Sequence, residues 1–217
     1  MGNSNSYEAL TDPLIPQDPA MAAIDVRFVT SDEVTLVLKG KLSWSGDDYS
    51  IKDADTDTPC FQVEGKMKSM KAKKTFLDAY GEPAFNMKLQ LTSLVRKHIV
   101  YKGTDSTSQL FKIETKFALK PNLYIHFNNL VDGVPCELGC KGDWRARQCV
   151  LWLDRGMKGK ENRVVVGHIS SSALNAAKQL FDKQTYFLRI APGVDMALMV
   201  AICVALDVEL RADRKTM

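Results

Sequence analysis

MALMVAICVAL, residues 196–206, is a run of eleven residues without a polar side chain, and the fold of the whole chain follows from it. Ala, Met and Leu fill seven of its positions, and it is longer than the roughly four to eight residues of a buried strand, so it is predicted to be a helix. Asp195 stands where an N-cap belongs. Beyond the run, Asp207, Glu209 and Arg211 are predicted to return the chain to water.

A helix that is apolar on every face must be buried on every face, either in lipid or inside protein. At about 1.5 Å per residue the run spans roughly 17 Å, whereas the hydrocarbon core of a bilayer is about 30 Å thick. The run is therefore too short to cross a membrane, and it carries no polar stripe typical of an ordinary amphipathic helix. We expect the rest of the chain to enclose it.

The sequence before the helix consists of short candidate strands separated by turn signals such as DADTDTP and GEP. The twelve candidates are VTLVLKGKL (34–42), YSIKD (49–53), CFQVEGK (60–66), KTFLDAY (74–80), AFNMKLQL (84–91), IVYKG (99–103), LFKIETKFAL (110–119), LYIHF (123–127), ELGCKG (137–142), QCVLWL (148–153), RVVVGHIS (163–170) and TYFLRI (185–190). A barrel of about eight strands is filled by its own side chains, so a central helix needs a wider one. The predicted fold is mainly β, a twelve-stranded β-barrel enclosing a hydrophobic C-terminal α-helix.

A faint internal repeat emerges when the chain is shifted by 76 positions. Four identities then fall within twenty residues, pairing Pro59, Cys60, Leu77 and Asp78 with Pro135, Cys136, Leu153 and Asp154. Average composition predicts about one identity in such a window, so the match indicates two similar half-sheets, with coincidence as the alternative.

Four stretches resemble a known family. They are LFKIETKF (110–117), CKGDWRARQCVLWLD (140–154), VVVGHIS (164–170) and, most specifically, DKQTYFLRIAPGVDMALMVAICVALD (182–207). On these residues the chain resembles the plant LURP-one-related proteins over roughly residues 23–212. That family is similar in fold to the tubby C-terminal domain and to phospholipid scramblases. The resemblance therefore implies a tubby-like, twelve-stranded barrel around a C-terminal helix, and it sharpens the fold more than the function.

Composition indicates a globular chain with one sizeable core. The 217 residues are 45% hydrophobic and 25% charged, and a net charge of +3 is less basic than expected of a dedicated nucleic-acid binder. We predict a mobile N-terminal segment over 1–22, a single barrel domain over 23–212 with its helix at about 195–210, and a C-terminal tail over 213–217. The chain is predicted to be a monomer.

Five cysteines and an N-terminus without the pattern of a signal peptide favour reduced thiols and a cytoplasmic or nuclear location. Cys136 and Cys140 lie about 13 Å apart on an extended strand, too far to share a zinc ion with Cys149. These cysteines are predicted to be structural or surface thiols, and Cys203 is predicted to pack as a small hydrophobic residue.

Residues 66–74 form a basic cluster without an acid, which comprises Lys66, Lys68, Lys71, Lys73 and Lys74. Such a cluster attracts phosphate headgroups at about 1 kcal/mol per charge near a membrane. Under the 76-residue shift, Arg145 and Arg147 occupy the equivalent region of the second half. These seven residues are the candidate lipid-binding residues, and a solvated hairpin is the alternative interpretation. Nucleic-acid phosphates are a further ligand for the same charges, but no recognition helix or stacking platform is evident.

The first six residues, MGNSNS, fit the N-myristoylation pattern, with Gly2 exposed after Met removal and Ser6 at the small hydroxyl position. A chance match is the alternative. One myristoyl chain gives only reversible membrane binding, so a second contact such as the basic cluster is required. Acylation of Gly2 would place the protein at the periphery of a membrane, for example the plasma membrane.

Asp53, Asp55, Asp57 and Glu64 match positions 1, 3, 5 and 12 of a calcium-binding EF-hand loop. However, Thr58 replaces the glycine that the sharp turn requires, and both flanks have the pattern of strands. An acidic hairpin turn is therefore predicted instead of a calcium site.

Signals of an enzyme are poor. The three histidines His98, His126 and His168 lie in or near candidate strands, where surface placement is expected, and match no metal-binding or nucleophile-elbow pattern. A nucleotide-binding loop is also absent from the sequence. We predict no catalytic residue, no metal site and no cofactor. Residues 170–181 form either a short helix or an irregular excursion between strands.

The leading hypothesis is a non-catalytic intracellular binding module that docks on anionic membrane lipid, a phosphoinositide by the tubby resemblance, and acts as a reversibly tethered regulator. The first alternative is a defence-associated interaction scaffold whose partner is an unknown protein. The second is scramblase-like lipid transport, which is disfavoured because residues 196–206 are better explained as the core of the barrel.

Overall fold

The computed structural model describes residues 12–43, 46–66, 73–92, 95–116, 122–171 and 185–216. Twelve antiparallel strands form a closed barrel in which each strand pairs with its neighbours in sequence and β1 pairs with β12. The strands are β1 (Val34–Ser43), β2 (Gly46–Asp53), β3 (Pro59–Lys66), β4 (Lys73–Leu77), β5 (Pro83–Thr92), β6 (Val95–Lys102), β7 (Gln109–Lys116), β8 (Asn122–Asn128), β9 (Pro135–Asp143), β10 (Gln148–Arg155), β11 (Val164–Ser170) and β12 (Thr185–Ile190). The predicted fold is confirmed, and each candidate strand overlaps an observed one.

Alternation along the strands directs one face of each strand into the barrel. In β7, for example, Phe111, Ile113 and Thr115 are buried, while Lys112 between them is exposed. Strands with this pattern cannot bury their apolar face without a filling element, and the apolar helix supplies it.

Helix α1 (Met196–Thr216) is the core of the barrel, and residues 197–206 are at most 2% exposed. Gly167 of β11 allows a close approach, because an added Cβ atom would lie 2.4 Å from Cε of Met199. The predicted end of the helix at about 210 is too early, since residues 211–216 continue it and replace most of the predicted tail. Asp207 and Glu209, predicted to return to water, are buried as well.

Residues 12–33, which we call the strap, cross the end of the barrel at which α1 begins. Backbone hydrogen bonds hold the strap to the loop before the helix: Gln17 N donates to Pro192 O, and Met21 N donates to Gly193 O. Met21 and Ala22 are fully buried. The prediction of a mobile segment over 1–22 is therefore wrong for residues 12–22, because their few apolar side chains complete the core.

Asp195 connects the strap to the helix. One carboxylate oxygen accepts from the backbone N–H groups of Ala197 and Leu198 at 2.9 and 3.2 Å, which is the predicted N-cap. The other oxygen accepts from Ala23 and Ile24 of the strap at 3.1 and 2.8 Å. One fully buried side chain thus satisfies orphan amides of two segments that are 171 residues apart.

The alternating strand directions give the barrel two distinct ends. At the strap end, α1 begins and six connections lie at residues 54–58, 78–82, 103–108, 129–134, 156–163 and 191–195. At the opposite end, which we call the exit end, α1 leaves the barrel beside the turn at residues 144–147. The β3–β4 and β9–β10 hairpins, which the 76-residue shift relates, both turn at the exit end.

Candidate functional site

The two ends of the barrel differ in charge. At the strap end, the strap and the six connections carry thirteen acidic and four basic residues. By sequence, the connections at the exit end carry one acid and seven basic residues, which are Lys68, Lys71, Lys120, Arg145, Arg147, Lys178 and Lys183. The net charge of the chain is therefore small although the connections at its two ends carry opposite charges. The exit end is the one whose field attracts anions.

The candidate lysines occupy different environments. Lys68, Lys71 and the side chain of Lys66 lie outside the described residues, as does Gly2. Lys73 is the first residue of β4, which begins one position before the predicted strand at 74–80. Its Nζ donates a hydrogen bond to the carbonyl oxygen of Thr104 in the β6–β7 connection.

Lys73 belongs to a row of lysines across three adjacent strands. It is in register with Lys66 on β3 and with Lys88 on β5. Like charges directly opposite each other destabilise a sheet, so the facing pair Lys73 and Lys88 carries an energetic cost. Lys88 reduces part of that cost by placing its Nζ 5.9 Å from the centre of the Tyr101 ring.

Lys74 faces the interior instead of the surface. It is only 7% exposed, and its Nζ lies 5.5 Å from the ring centre of the fully buried Tyr49. Arg211 of α1 approaches the same ring at 5.8 Å. Lys74 is therefore buried against the inner face of the wall, and its side chain is not displayed for a ligand in solution.

The two arginines of the β9–β10 turn also separate. Arg145 is exposed, whereas Arg147 turns inward and forms an ion pair with Asp207 of α1. The Arg147 guanidinium lies 4.4 Å from the ring centres of both Trp144 and Tyr186. Burial raises the pKa of the Asp207 carboxyl, and Arg147 opposes that rise. Arg147 thus anchors the helix, and Arg145 is the arginine available to a ligand.

A second polar contact fixes the same half of the helix. Oε1 of Glu209 lies at hydrogen-bond distance, 2.7 Å, from Nε2 of the buried His98, and Arg96 lies 3.5 Å from the other carboxylate oxygen. Tyr186 donates to Asp207 at 3.1 Å. Sequence reasoning missed these contacts, because it took the charges after the apolar run as the point where the chain returns to water.

Surface placement was wrong for two of the three histidines. His98 is 1% and His168 is 3% exposed, whereas His126 is exposed and bonded to Glu137 at 2.8 Å. Within the described residues, neither ring nitrogen of His168 has a hydrogen-bond partner. Burial lowers the pKa of His168, and the nearby Arg189 cation lowers it further. A neutral, unpaired imidazole of this kind belongs to the packing of the wall.

The acidic stretch beginning at Asp53 is a hairpin turn between β2 and β3, as the sequence predicts. Oδ1 of Asp53 accepts from the backbone N–H groups of Asp55 and Thr56 at 3.0 and 2.8 Å. Burial alone would raise the pKa of Asp53, but the hydrogen bonds from Thr56 and Asp55 lower it. Over the part of the chain that the structure describes, no three His, Cys, Asp or Glu side chains are placed to hold a metal ion.

The cysteines are free thiols, and Cys136, Cys140, Cys149 and Cys203 are buried. Hydrogen bonding to Cys140, together with burial, raises the pKa of Cys149. Burial likewise raises the pKa of Cys203 inside the helix. Cys149 and Cys203 therefore stay protonated, and the buried cysteines pack as small apolar groups. Residues 172–181, predicted as a short helix or an excursion, lie outside the described residues.

Comparison with known proteins identifies relatives along most of the chain. A family model described as LURP-one-related matches residues 34–207. Protein LURP-one-related 10 of Arabidopsis thaliana is 25% identical over 194 residues, which are 86% of this chain and 95% of that protein. Protein LURP-one-related 15 of the same plant is 22% identical over 182 residues, 82% of this chain and 80% of the relative.

An X-ray structure of a protein from Arabidopsis thaliana has the same fold. The two structures agree with a TM-score of 0.57 at 17% sequence identity, over 86% of this chain and 96% of that one. In the described ranges, none of the helices combines the length and the apolar composition that a membrane span requires.

Proposed function

The chain belongs to the LURP-one-related family, and on that premise we propose that it is a non-catalytic binding module that docks reversibly on anionic membrane lipid. The exit end of the barrel is the proposed docking surface. The observation that carries the proposal is the segregation of charge, with basic connections at the exit end and acidic ones at the strap end. An anionic surface attracts the first end and repels the second, which orients the barrel.

Not all candidate residues contribute equally to this surface. Lys74 is buried against Tyr49, and Arg147 pairs with Asp207 of the helix. The proposed lipid contacts therefore come from exposed Arg145 and from the basic residues that the sequence places in the β3–β4 connection, Lys68 and Lys71. Each basic residue near the membrane contributes about 1 kcal/mol of attraction. By sequence, connections at this end also contain Trp44, Met67 and Phe117, apolar residues suited to the interface of a bilayer.

Acylation of Gly2 would supply the second membrane contact. Ten Cα-to-Cα steps separate Gly2 from the start of the strap at residue 12, and an extended chain of that length spans at most about 36 Å. The 21-residue helix through the barrel is about 31 Å long. The acyl chain therefore has enough reach to enter the membrane on which the exit end rests, and two weak signals make reversible attachment effective.

The test is flotation of purified protein on liposomes. Lys71→Glu combined with Arg145→Glu should weaken binding by at least about 30-fold, because two attractive charges worth about 2 kcal/mol are lost and two repulsive charges are added. Lys158→Glu with Lys160→Glu is the matched control, since it changes the net charge equally at exposed positions of the strap end. The control should bind within about threefold of wild type because it lies beyond the Debye length from the membrane. Equal weakening of both double variants would refute oriented docking.

Vesicle composition separates the finer forms of the proposal. The similarity to tubby domains favours phosphoinositide, so vesicles with phosphoinositide should bind more tightly than phosphatidylserine vesicles of the same charge. Myristoylated protein should bind more tightly than a Gly2→Ala variant on either vesicle. Failure to bind any anionic vesicle would favour the interaction scaffold without a lipid ligand. Scramblase-like transport is not proposed, because α1 forms the core.

A further inference from the structure

A groove of about 600 Å³ lies at the strap end, between the strap and the connection at residues 129–134. Most of its lining is apolar and comprises Pro16, Ala20, Val26, Val29, Val131 and Pro192. This volume falls within the roughly 300 to 1,000 Å³ of ligand pockets. The groove opens at the end of the molecule opposite the proposed membrane surface, so it is not part of that site.

Hydrogen bonds tie the walls of the groove to each other. Leu130 N donates to Ala22 O at 2.9 Å, which ties the 129–134 connection to the strap. The side chain of Asn129 makes two further hydrogen bonds to the strap. Its Oδ1 accepts from Ala22 N, and its Nδ2 donates to Ala20 O, each at 2.9 Å. Gly193 N donates to Thr30 O at 2.7 Å on the other side. A preformed groove binds without the entropic cost of ordering loops.

Apolar side chains at this groove are left in water. Val26 is 55% and Val131 is 44% exposed, and Leu130 next to the groove is 52% exposed. Isolated exposed apolar side chains are ordinary, but contiguous ones on a fixed framework mark a surface that another molecule covers.

Acidic residues are neighbours in sequence of the residues that line the groove. Asp18, Asp25, Asp32 and Asp132 each lie within one or two positions of a lining residue. Asp25 pairs with Arg27, and Asp132 pairs with Arg155. Among the residues that the structure describes, Asp18 and Asp32 are exposed and have no basic partner. The rim of the groove therefore retains uncompensated negative charge.

We propose that this groove is a docking site for a partner protein, which inserts apolar side chains flanked by lysine or arginine. The partner's apolar residues fill the groove, and its flanking cations pair with the acidic rim. The groove is therefore complementary to a partner in both polarity and charge. The same rim repels anionic lipid and nucleic acid. Because the groove and the exit end are at opposite ends, a barrel on a membrane presents the groove to the surrounding solution.

The test is a selection of random dodecapeptides displayed on phage against the full-length protein. Enriched peptides should combine two or more large apolar residues with an excess of lysine and arginine. Enrichment without that excess, or no enrichment, would overturn the proposal. Labelled synthetic peptides from the selection are then measured by fluorescence anisotropy against variants.

Val131→Lys should weaken binding of the basic peptides at least tenfold, because it fills the groove with a like charge. Tyr80→Lys is the matched control, since Tyr80 is 92% exposed at the same end but does not line the groove. It should bind within twofold of wild type. Asp18→Asn with Asp32→Asn should weaken binding several-fold and flatten its dependence on salt.

Equal loss in Val131→Lys and Tyr80→Lys would overturn the proposal, as would unchanged binding in Val131→Lys. The alternative occupant is a second copy of the chain, which would dock its basic exit end in the groove. Sedimentation velocity at low and high salt tests for this self-association. Salt-sensitive self-association that Val131→Lys abolishes would replace the proposed partner with that copy. Thermal unfolding of each variant confirms that the fold is retained.

Discussion

Replacement of Asp195 by alanine tests how the strap, the helix and the barrel are held together. The carboxylate accepts hydrogen bonds from Ala197 and Leu198 in the first turn of α1 and from Ala23 and Ile24 in the strap. In Asp195→Ala all of these N–H groups lose their acceptor. The strap amides cannot turn to water, because Ala23 and Ile24 are only 4% and 3% exposed.

The magnitude follows from these contacts. Loss of an N-cap costs about 1 kcal/mol, and each buried amide left without an acceptor costs about 1 to 3 kcal/mol. With about 1 kcal/mol for the cap and about 1.5 kcal/mol for each of the two strap amides, the free energy of unfolding should fall by about 4 kcal/mol. The total free energy of unfolding of a domain is about 5 to 15 kcal/mol. Asp195→Asn should lose less, because one acceptor oxygen remains.

Urea denaturation followed by tryptophan fluorescence measures this loss, since Trp144 and Trp152 are buried. Asp25→Ala is the control, because Asp25 caps only a short 3₁₀ helix at the surface and accepts from Arg27 N. It should lose about 1 kcal/mol or less. A loss below about 1 kcal/mol in Asp195→Ala, or no difference between the two variants, would refute the role assigned to Asp195.

Three further outcomes are expected. Arg147→Ala should lower the free energy of unfolding by about 3 to 5 kcal/mol, because it leaves Asp207 charged and buried without its partner. Adding Asp207→Asn should recover part of that loss in a double-mutant cycle. Because the pKa of His168 is lowered in the folded protein, its contribution to stability is complete above the ordinary value of 6.5 and is lost as the pH falls below it. The urea midpoint of His168→Leu should therefore decline less than that of the wild-type protein between about pH 7 and pH 5. Gly139→Ala should cost about 1 to 3 kcal/mol in thermal unfolding, because its Cβ would meet the Trp152 ring at 2.1 Å, and combining it with Trp152→Leu should relieve the clash.

The strands were predictable because each carries its own local signal. In β12, for example, TYFLRI is a run of residues typical of strands, and the observed β12 has the same bounds as the prediction. The strap was not predictable in this way. The strap contains few apolar residues, and Met21 and Ala22 follow several prolines, so the sequence indicates a mobile tail. Met21 and Ala22 are buried only because the end of the barrel would otherwise be uncovered.

The candidate site was partly predictable. A cluster of like charges in sequence remains a cluster at one end of the barrel, so the basic connections at the exit end follow from the sequence and the alternation of strands. The direction of each side chain does not. Lys73 and Lys74 are neighbours in β4, yet one faces outward and the other faces Tyr49, because side chains alternate between the two sides of a sheet.

The sequence by itself determined the closed barrel, because an apolar helix too short for a membrane needs enclosure and the twelve strands before it are enough to enclose it. Only the tertiary structure decided which polar groups are buried. Asp207 and Glu209 look solvent-exposed in sequence, and they are buried because Arg147 and His98 reach them from strands and turns remote along the chain. A charge enters a low-dielectric core only where its partner is already in place, and that partner is fixed by packing across the barrel, not by neighbours in sequence.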